Sequence, residues 1–477
     1  MADDLPPSKY FNKLQQTIIM SSRRKFLHQL GGTAGLLSTT SLASLGNEQV
    51  HLIKPVKRIS ANDKIRLAGI GMGIIGNYDV DAALKTTGAE LVAVCDLYDG
   101  RLQRCREKYG NQIFTTRDFR ELLDRKDIDA VIVSVPDFWH DHISIAALKK
   151  GKHVYCEKPM VQHVEDGAAI IKAEKESGKI FQVGSQGVSS IALAEAKKLI
   201  KSGAIGEVNM IEAINDRFSA MGAWQYSIPT DASPQTVDWD RYLGDTAKRP
   251  FDPVRFFRWR NYKDYGTGVA GDLFVHLISA VHFAMDSKGP ERIFSAGQLS
   301  LWKDGRDVPD IMASIMDYPK TADHPSFQMM LRVNFADGSG GGGRTRITGT
   351  EGVLELEGTR FTMKNAKLPK APGFGGYDSY STFSEQQQKD FAKWYATQYT
   401  ESDKKGTPPT ETKFAAPVGY DDRVDHFANF FEAIRSGKKV VEDSTFGLRA
   451  AGPAVLANLS YEKKKIINWN PDTMKIV

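Results

Sequence analysis

The chain has 477 residues, 41% of them hydrophobic, which is enough for two domains with cores of their own. Lys and Arg number 63 against 58 Asp and Glu, a formal charge of +5 to which the first 43 residues contribute, so nothing points to nucleic acid or an anionic membrane as partner. Three cysteines, Cys95, Cys105 and Cys156, are too few for a disulfide framework.

The first element in chain order is "SSRRKFLHQLGG", residues 21–32. Arg23 and Arg24, then Phe26 and Leu27, then a mildly apolar run from Leu30 to Leu45 match a twin-arginine leader. Gly31, Gly32, Gly35 and several Ser and Thr interrupt that run, which makes it too short and too polar for stable membrane insertion. Ser41-Leu42-Ala43 is a small-x-small cleavage site. Residues 1–43 are therefore expected to be a signal that exports the folded protein to the periplasm, and 44–62 a polar linker.

A first domain is expected over residues 63–186. Arg66 to Ile70 reads as a short apolar strand, followed by Gly71, Gly73 and Gly76 in G-x-G-x-x-G spacing and a helix running towards Leu84. The glycines serve a tight turn, a close backbone approach to a pyrophosphate and helix-to-strand packing, in that order. With Ile74 and Ile75 they form a turn that offers the anion a helix N-terminus. "AELVAVCD" is a second strand, almost continuously apolar as a doubly covered parallel strand should be. Asp96 closes it 20 residues after Gly76, placed to bond the adenosine ribose hydroxyls and repel a 2′-phosphate, so NAD is expected rather than NADP. Arg101 is the residue placed to reach a 2′-phosphate instead. "DAVIVSV" and "HVYCEKP" continue the alternation of helix and parallel strand, each ending in a polar cluster at the carboxyl edge where ligands of open α/β sheets bind.

The run from Ala130 to Met160, with Pro136, His140, "AALKKGKHV" and Glu157-Lys158-Pro159, resembles the Gfo/Idh/MocA family of nicotinamide sugar oxidoreductases. The resemblance implies that Pro136, His140, Glu157 and Lys158 lie beside the cofactor. It also implies a second α+β domain, here residues 187–477, with a large, mostly antiparallel, open-faced sheet through which such proteins assemble as dimers or tetramers. Strand candidates without intervening helices agree: "ERIFSAGQLSLW", "MASIMDY", "SFQMMLRVNFADG" and "TRITGTEGVLELEG". "GSGGGGRTRI" reads as a turn between strands, 361–417 as an insertion without a role, and the C-terminal region as two amphipathic helices.

Between the strands lies "RWRNYKDYGTGVAGDLFVHLISAVHF". The family carries an aspartate and a histidine four residues apart on a helix facing the nicotinamide, and Asp272 and His276 have that spacing, which puts both on one α-helical face. Oxidising a secondary alcohol requires removal of the hydroxyl proton as hydride leaves, and His276 suits that task, with Asp272 orienting it or binding a neighbouring hydroxyl. Lys158 can donate to the developing alkoxide or share the proton transfer. Sequence leaves open which of the two is the formal base. His282 reads as a satisfied core histidine. Trp259, Arg260, Tyr262 and Tyr265 either line a sugar site or form a packed loop. No metal is expected, because His140, His142, Asp272 and His276 lack the company of cysteine pairs or an H-E-x-x-H helix. Two departures from the family pattern, Ser279 where an acid often stands and Gly187-Val188 where an arginine often lies, bear on the substrate more than on the reaction class.

The first expectation is an NAD-dependent oxidoreductase acting on a secondary hydroxyl of a sugar, sugar derivative or glycoside, with a tightly bound cofactor that is restored within each cycle. The second is an NAD-dependent, redox-neutral glycosidase working through a 3-keto intermediate. The third is a non-catalytic sugar-binding protein on the same fold.

Overall fold

The computed structural model describes residues 64–477; the expected leader and linker, 1–43 and 44–62, lie outside the described residues. Six strands form the first sheet: β1 (Ile65–Ile70), β2 (Ala89–Cys95), β3 (Phe114–Thr116), β4 (Ala130–Val133), β5 (His153–Glu157) and β6 (Phe181–Gly184). Their order is β3-β2-β1-β4-β5-β6 and every pairing is parallel, the doubly wound arrangement whose crossing point lies between β1 and β4. The strands read as unbroken apolar runs because helices cover both faces: β4 is buried at all four positions. α1 (Ile74–Lys85) follows β1 directly.

The second sheet has ten strands. β7 (Val208–Asp216), β8 (Arg292–Gln298), β9 (Ile311–Tyr318), β10 (Phe327–Asn334), β11 (Gly342–Gly349), β12 (Gly352–Glu357), β13 (Arg360–Lys367), β14 (Thr407–Ala415), β15 (Ile467–Asn470) and β16 (Lys475–Ile476) lie in the order β14-β13-β12-β11-β7-β10-β9-β8-β15-β16. All neighbours are antiparallel except β7 and β10. Here the burial alternates, with Met312, Met316 and Tyr318 of β9 inward and Ile315 outward, because only one face is covered. The covering helices are α2 (Val275–Met285) and α4 (Ser444–Lys463), whose Ile278, Val281, Ala450 and Ala454 join the strand methionines in one core.

Two regions depart from the sequence reading. α3 (Asp422–Ser436), expected with the second domain, returns to pack Phe427, Phe430 and Phe431 against Val80, Ala83 and Tyr155 of the first. Its rings gain more apolar contact there, Phe427 stacking on Tyr155 at 4.3 Å. The segment 361–417 supplies most of β13 and all of β14, the two outermost strands at one end of the sheet, joined through a helix (Glu385–Gln398) whose Phe391 and Tyr395 cluster with Phe374 and Tyr380. Among the described residues no helix is long and apolar enough to cross a membrane.

Candidate active site

The cleft opens at the carboxyl edge of β1. Gly71 has φ +87°, and a Cβ there would lie 2.6 Å from the Ser134 carbonyl oxygen at the end of β4. At Gly76 a Cβ would meet the Gly71 carbonyl oxygen at 2.0 Å, so both positions exclude a side chain. Gly73 differs, because its nearest neighbour would be the Arg101 guanidinium at 3.7 Å, ordinary contact across open cleft. No side chain caps α1 at Gly73, which leaves the first-turn N–H groups and the positive end of the dipole for an anion.

Asp96 is 4% exposed and accepts from the Met72 N–H at 2.7 Å and the Tyr98 N–H at 2.9 Å. It thereby ties the glycine turn to the end of β2. Arg101 approaches the same carboxylate at 3.4 Å and lies over the Phe256 and Phe257 rings at 5.7 and 5.3 Å. Gly71, Gly73, Ile74, Ile75, Asp96, Arg101 and Pro136 line a cleft together with Tyr226, Phe256, Phe257, Trp259 and Arg260. A bare helix N-terminus, two side-chain-free glycines and a carboxylate at the tip of β2 fit a dinucleotide.

At the end of β5, the Lys158 Nζ donates to Asp272 Oδ1 at 2.8 Å and to the Asp272 carbonyl at 3.1 Å. Arg260 Nε donates to the same Oδ1 at 3.2 Å, its guanidinium resting on the Trp259 ring at 4.2 Å. Burial pushes the Asp272 carboxyl up, but Lys158 and Arg260 outweigh it and hold the group well below the usual carboxylate range. His276 is half-buried. Burial, and then the charge of Lys158, lower it to about 3, so it is neutral at physiological pH. Asp272 and His276 do not share a regular α-helix: Ala270–Phe274 is a π-helical turn that passes into α2 at Val275. Such turns recur at functional sites because the wider ring displaces side chains from α-helical positions.

Lys158, Asp272 and His276 are not among the residues that line the cleft, and other expected residues also stand away from it. His140 is 1% exposed, with Nδ1 2.7 Å from the Pro159 carbonyl and Nε2 2.9 Å from that of Val135; it braces the ends of β4 and β5. Glu157 is 3% exposed and accepts from Gln186 Nε2 at 2.6 Å. Tyr265 is fully buried among Phe138 and Tyr242, and Tyr262 lies beneath the Arg255 guanidinium. Of the four residues proposed for a sugar site, only Trp259 and Arg260 line the cleft. His282, as expected of a core residue, bonds the Tyr318 hydroxyl at 3.0 Å.

Sequence reading missed several groups. Ser279, at the position where an acid often stands, donates to Glu442 Oε1 at 3.2 Å, so the carboxylate arrives from a distant segment. Asp79 is buried beside Glu157, accepts from Ser134 Oγ at 3.0 Å, and is pushed well up by burial and by Glu157. Asp137 is 2% exposed and is pushed up to about 7 by burial and the charge of Asp272. Buried polar residues after a Pro or within a helix carry no periodic signal; only the expectation that a buried acid needs a partner would have singled them out. Among the described residues no group of three or more His, Cys, Asp or Glu is placed to hold a metal ion.

Residues 65–185 match the oxidoreductase family with an NAD-binding Rossmann fold, and residues 189–295 match the C-terminal alpha/beta domain of the same family. The chain is 32% identical over 170 residues to inositol 2-dehydrogenase of Salmonella typhimurium, covering 35% of this chain and 48% of that protein. It is 30% identical over 174 residues to glycosyl hydrolase family 109 protein 1 of a Shewanella species, covering 33% of this chain and 38% of that protein. The chain thus spans about half the length, or less, of these curated relatives. Among solved structures, an aldose-aldose oxidoreductase from Caulobacter crescentus complexed with glycerol superposes with a TM-score of 0.60 at 18% identity, over 85% of this chain and 99% of that one. An NAD-binding Rossmann domain followed by a mostly antiparallel α+β domain gives this chain the fold of the Gfo/Idh/MocA oxidoreductase family.

Proposed function

We propose that the chain is an NAD-dependent oxidoreductase that moves hydride between the nicotinamide and a secondary hydroxyl of a sugar, sugar derivative or glycoside. The observation that carries this reading is the Lys158–Asp272 pair beside a neutral His276, assembled from both domains. Gly71 to Gly76 would hold the pyrophosphate and Asp96 the adenosine ribose; when bound, NAD supplies the hydride acceptor. Lys158 directs its ammonium at the reacting oxygen and stabilises the charge that develops there. His276, neutral in the folded protein, takes the hydroxyl proton. Asp272 holds Lys158 in position, and Trp259 with Arg260 offers a ring face and a guanidinium to the sugar.

The test is reduction of the bound or added NAD, read as absorbance at 340 nm on mixing with myo-inositol, glucose or glycerol as trial substrate. Reduction of NAD by one of them supports the reading, and failure of all three across neutral pH counts against it. The likeness to a protein named as a glycosyl hydrolase supports a second reading, redox-neutral glycoside cleavage. Release of phenol from an aryl glycoside with no net NADH would favour it, and binding of sugar without either change would indicate a non-catalytic protein.

Two further elements belong to this proposal. Residues 1–43 are read as an export signal for the folded, NAD-loaded protein, so mature protein isolated from a periplasmic fraction should release NAD on denaturation. Assembly is proposed through the open face of the second sheet, where Phe294, Ile315 and Met330 stand side by side in register and exposed; light scattering should give a dimer or tetramer.

A further inference from the structure

One buried acid beside the site has no part in the proposed sugar or cofactor chemistry. Asp137 follows Pro136 at the carboxyl edge of the first sheet, and its Oδ2 accepts both the Thr267 N–H at 3.0 Å and the Thr267 hydroxyl at 2.7 Å. These bonds cross from the first domain to the loop that leads into the catalytic segment. The neighbouring Phe138 N–H donates to the Tyr265 carbonyl at 3.4 Å, and Asn458 Nδ2 donates to the Thr267 carbonyl at 2.6 Å, so Thr267 is gripped from both sides.

Thr267 is in turn the wall against which the π-helical turn sits. The Gly271 N–H donates to the Thr267 carbonyl at 3.1 Å, and a Cβ on Gly271 would lie 2.1 Å from the Thr267 Cβ. The next residue is Asp272, whose carboxylate and carbonyl both receive Lys158. A displacement of Thr267 therefore passes through Gly271 to Asp272, the residue that receives Lys158.

We propose that Asp137 is a positioning residue: by fixing both donors of Thr267 it sets the depth of the Ala270–Phe274 turn, and so locks Asp272 of the second domain onto Lys158 at the edge of the first. The proposal rests on the oxidoreductase reading only where turnover is measured. An oxygen that accepts two donors is what the latch requires, and an amide oxygen supplies that as well as a carboxylate does.

The experiment uses the full chain with NAD, comparing Asp137→Ala, Asp137→Asn and Thr267→Val by amide hydrogen exchange over residues 265–276, NAD affinity, and kcat and KM for the trial sugar that wild type oxidises. In Asp137→Ala, exchange across 268–276 rises about ten-fold and kcat falls about 10- to 100-fold, while KM and NAD affinity stay within about three-fold, as expected for misplacement of a catalytic group. Asp137→Asn retains exchange and kcat within about three-fold of wild type, and Thr267→Val, which keeps the N–H bond, falls between. Wild-type exchange and turnover in Asp137→Ala would overturn the latch, and so would equal damage in Asp137→Asn, which would assign the role to charge. If Asp137→Ala does not fold, Asp137→Asn and Thr267→Val decide. If wild type oxidises none of the trial sugars, the oxidoreductase reading fails on its own and the exchange measurements still test the latch.

Discussion

The glycine turn lines the cleft, whereas the Lys158–Asp272 pair is buried at the end of β5, and the two are built in opposite ways. Gly71 to Gly76 is one continuous stretch whose shape follows from backbone sterics, with two positions where a Cβ would come within 2.6 Å of a carbonyl oxygen. Lys158 and Asp272 are 114 residues apart, and their ion pair exists only because the Ala270–Phe274 turn packs against the carboxyl end of β5. The first kind of site tolerates no side chain at Gly71 or Gly76 but depends little on the second domain. The second kind depends on every contact that sets the position of one domain against the other.

The largest effect is expected where the assembled pair is broken. Lys158→Ala should lower kcat by about 10³-fold while NAD affinity, read by calorimetry, changes little, since it removes the group proposed to stabilise the developing charge and leaves the glycine turn intact. An equal loss of NAD affinity would mean that the two regions are not separable. Next comes Gly76→Ala, which drives a methyl group into the Gly71 carbonyl at 2.0 Å; NAD affinity should fall about 100-fold, and the Lys158–Asp272 contact should survive in a crystal structure of the variant.

The pH dependence sharpens the comparison further. His276 is depressed from 6.5 to about 3, so its proton-accepting form persists as pH falls through 6.5, and any stability that its neutral form contributes is present above 6.5 and lost only as pH falls towards 3. Asp137 runs the other way: raised to about 7, its neutral form favours the fold at low pH, and that contribution is lost as pH rises through 7. The acid limb of kcat/KM should therefore lie closer to 3 than to 6.5. A limb near 6.5 that persists in Asp137→Asn would remove His276 from the role of base.

The smallest effect is expected at Arg101. Its guanidinium sits over two aromatic rings and 3.4 Å from Asp96, which is already held by two backbone N–H groups. Arg101→Ala should weaken NAD by only about three-fold and leave kcat unchanged, measured by titration and initial rates. A larger loss would make Arg101 a principal cofactor ligand.

The two regions were not equally legible in the sequence. Gly71, Gly73, Gly76 and Asp96 were readable because a turn of this kind requires its residues at fixed local spacing, and the alternation of apolar runs with helical stretches announced the parallel sheet. Lys158, Asp272 and His276 were singled out by resemblance, but the π-helical turn beneath Asp272 was invisible, since nothing in "GTGVAGDLF" distinguishes it from an α-helix. His140, Glu157 and Tyr265 were expected beside cofactor or substrate and are buried, because the residue type and its place in the chain do not say which way a polar side chain points. Asp137, Asp79 and the contact of Ser279 with Glu442 were not legible at all.

By itself the sequence determined the dinucleotide turn, the presence of a parallel sheet and that of a second, mostly antiparallel sheet, because each depends on local sterics or on burial with a short period. Only the tertiary structure decided which acids meet which bases, that α3 returns to the first domain, and how deeply the catalytic turn sits. Those outcomes depend on how two large apolar faces pack, and packing brings together residues between which the chain itself holds no record of distance.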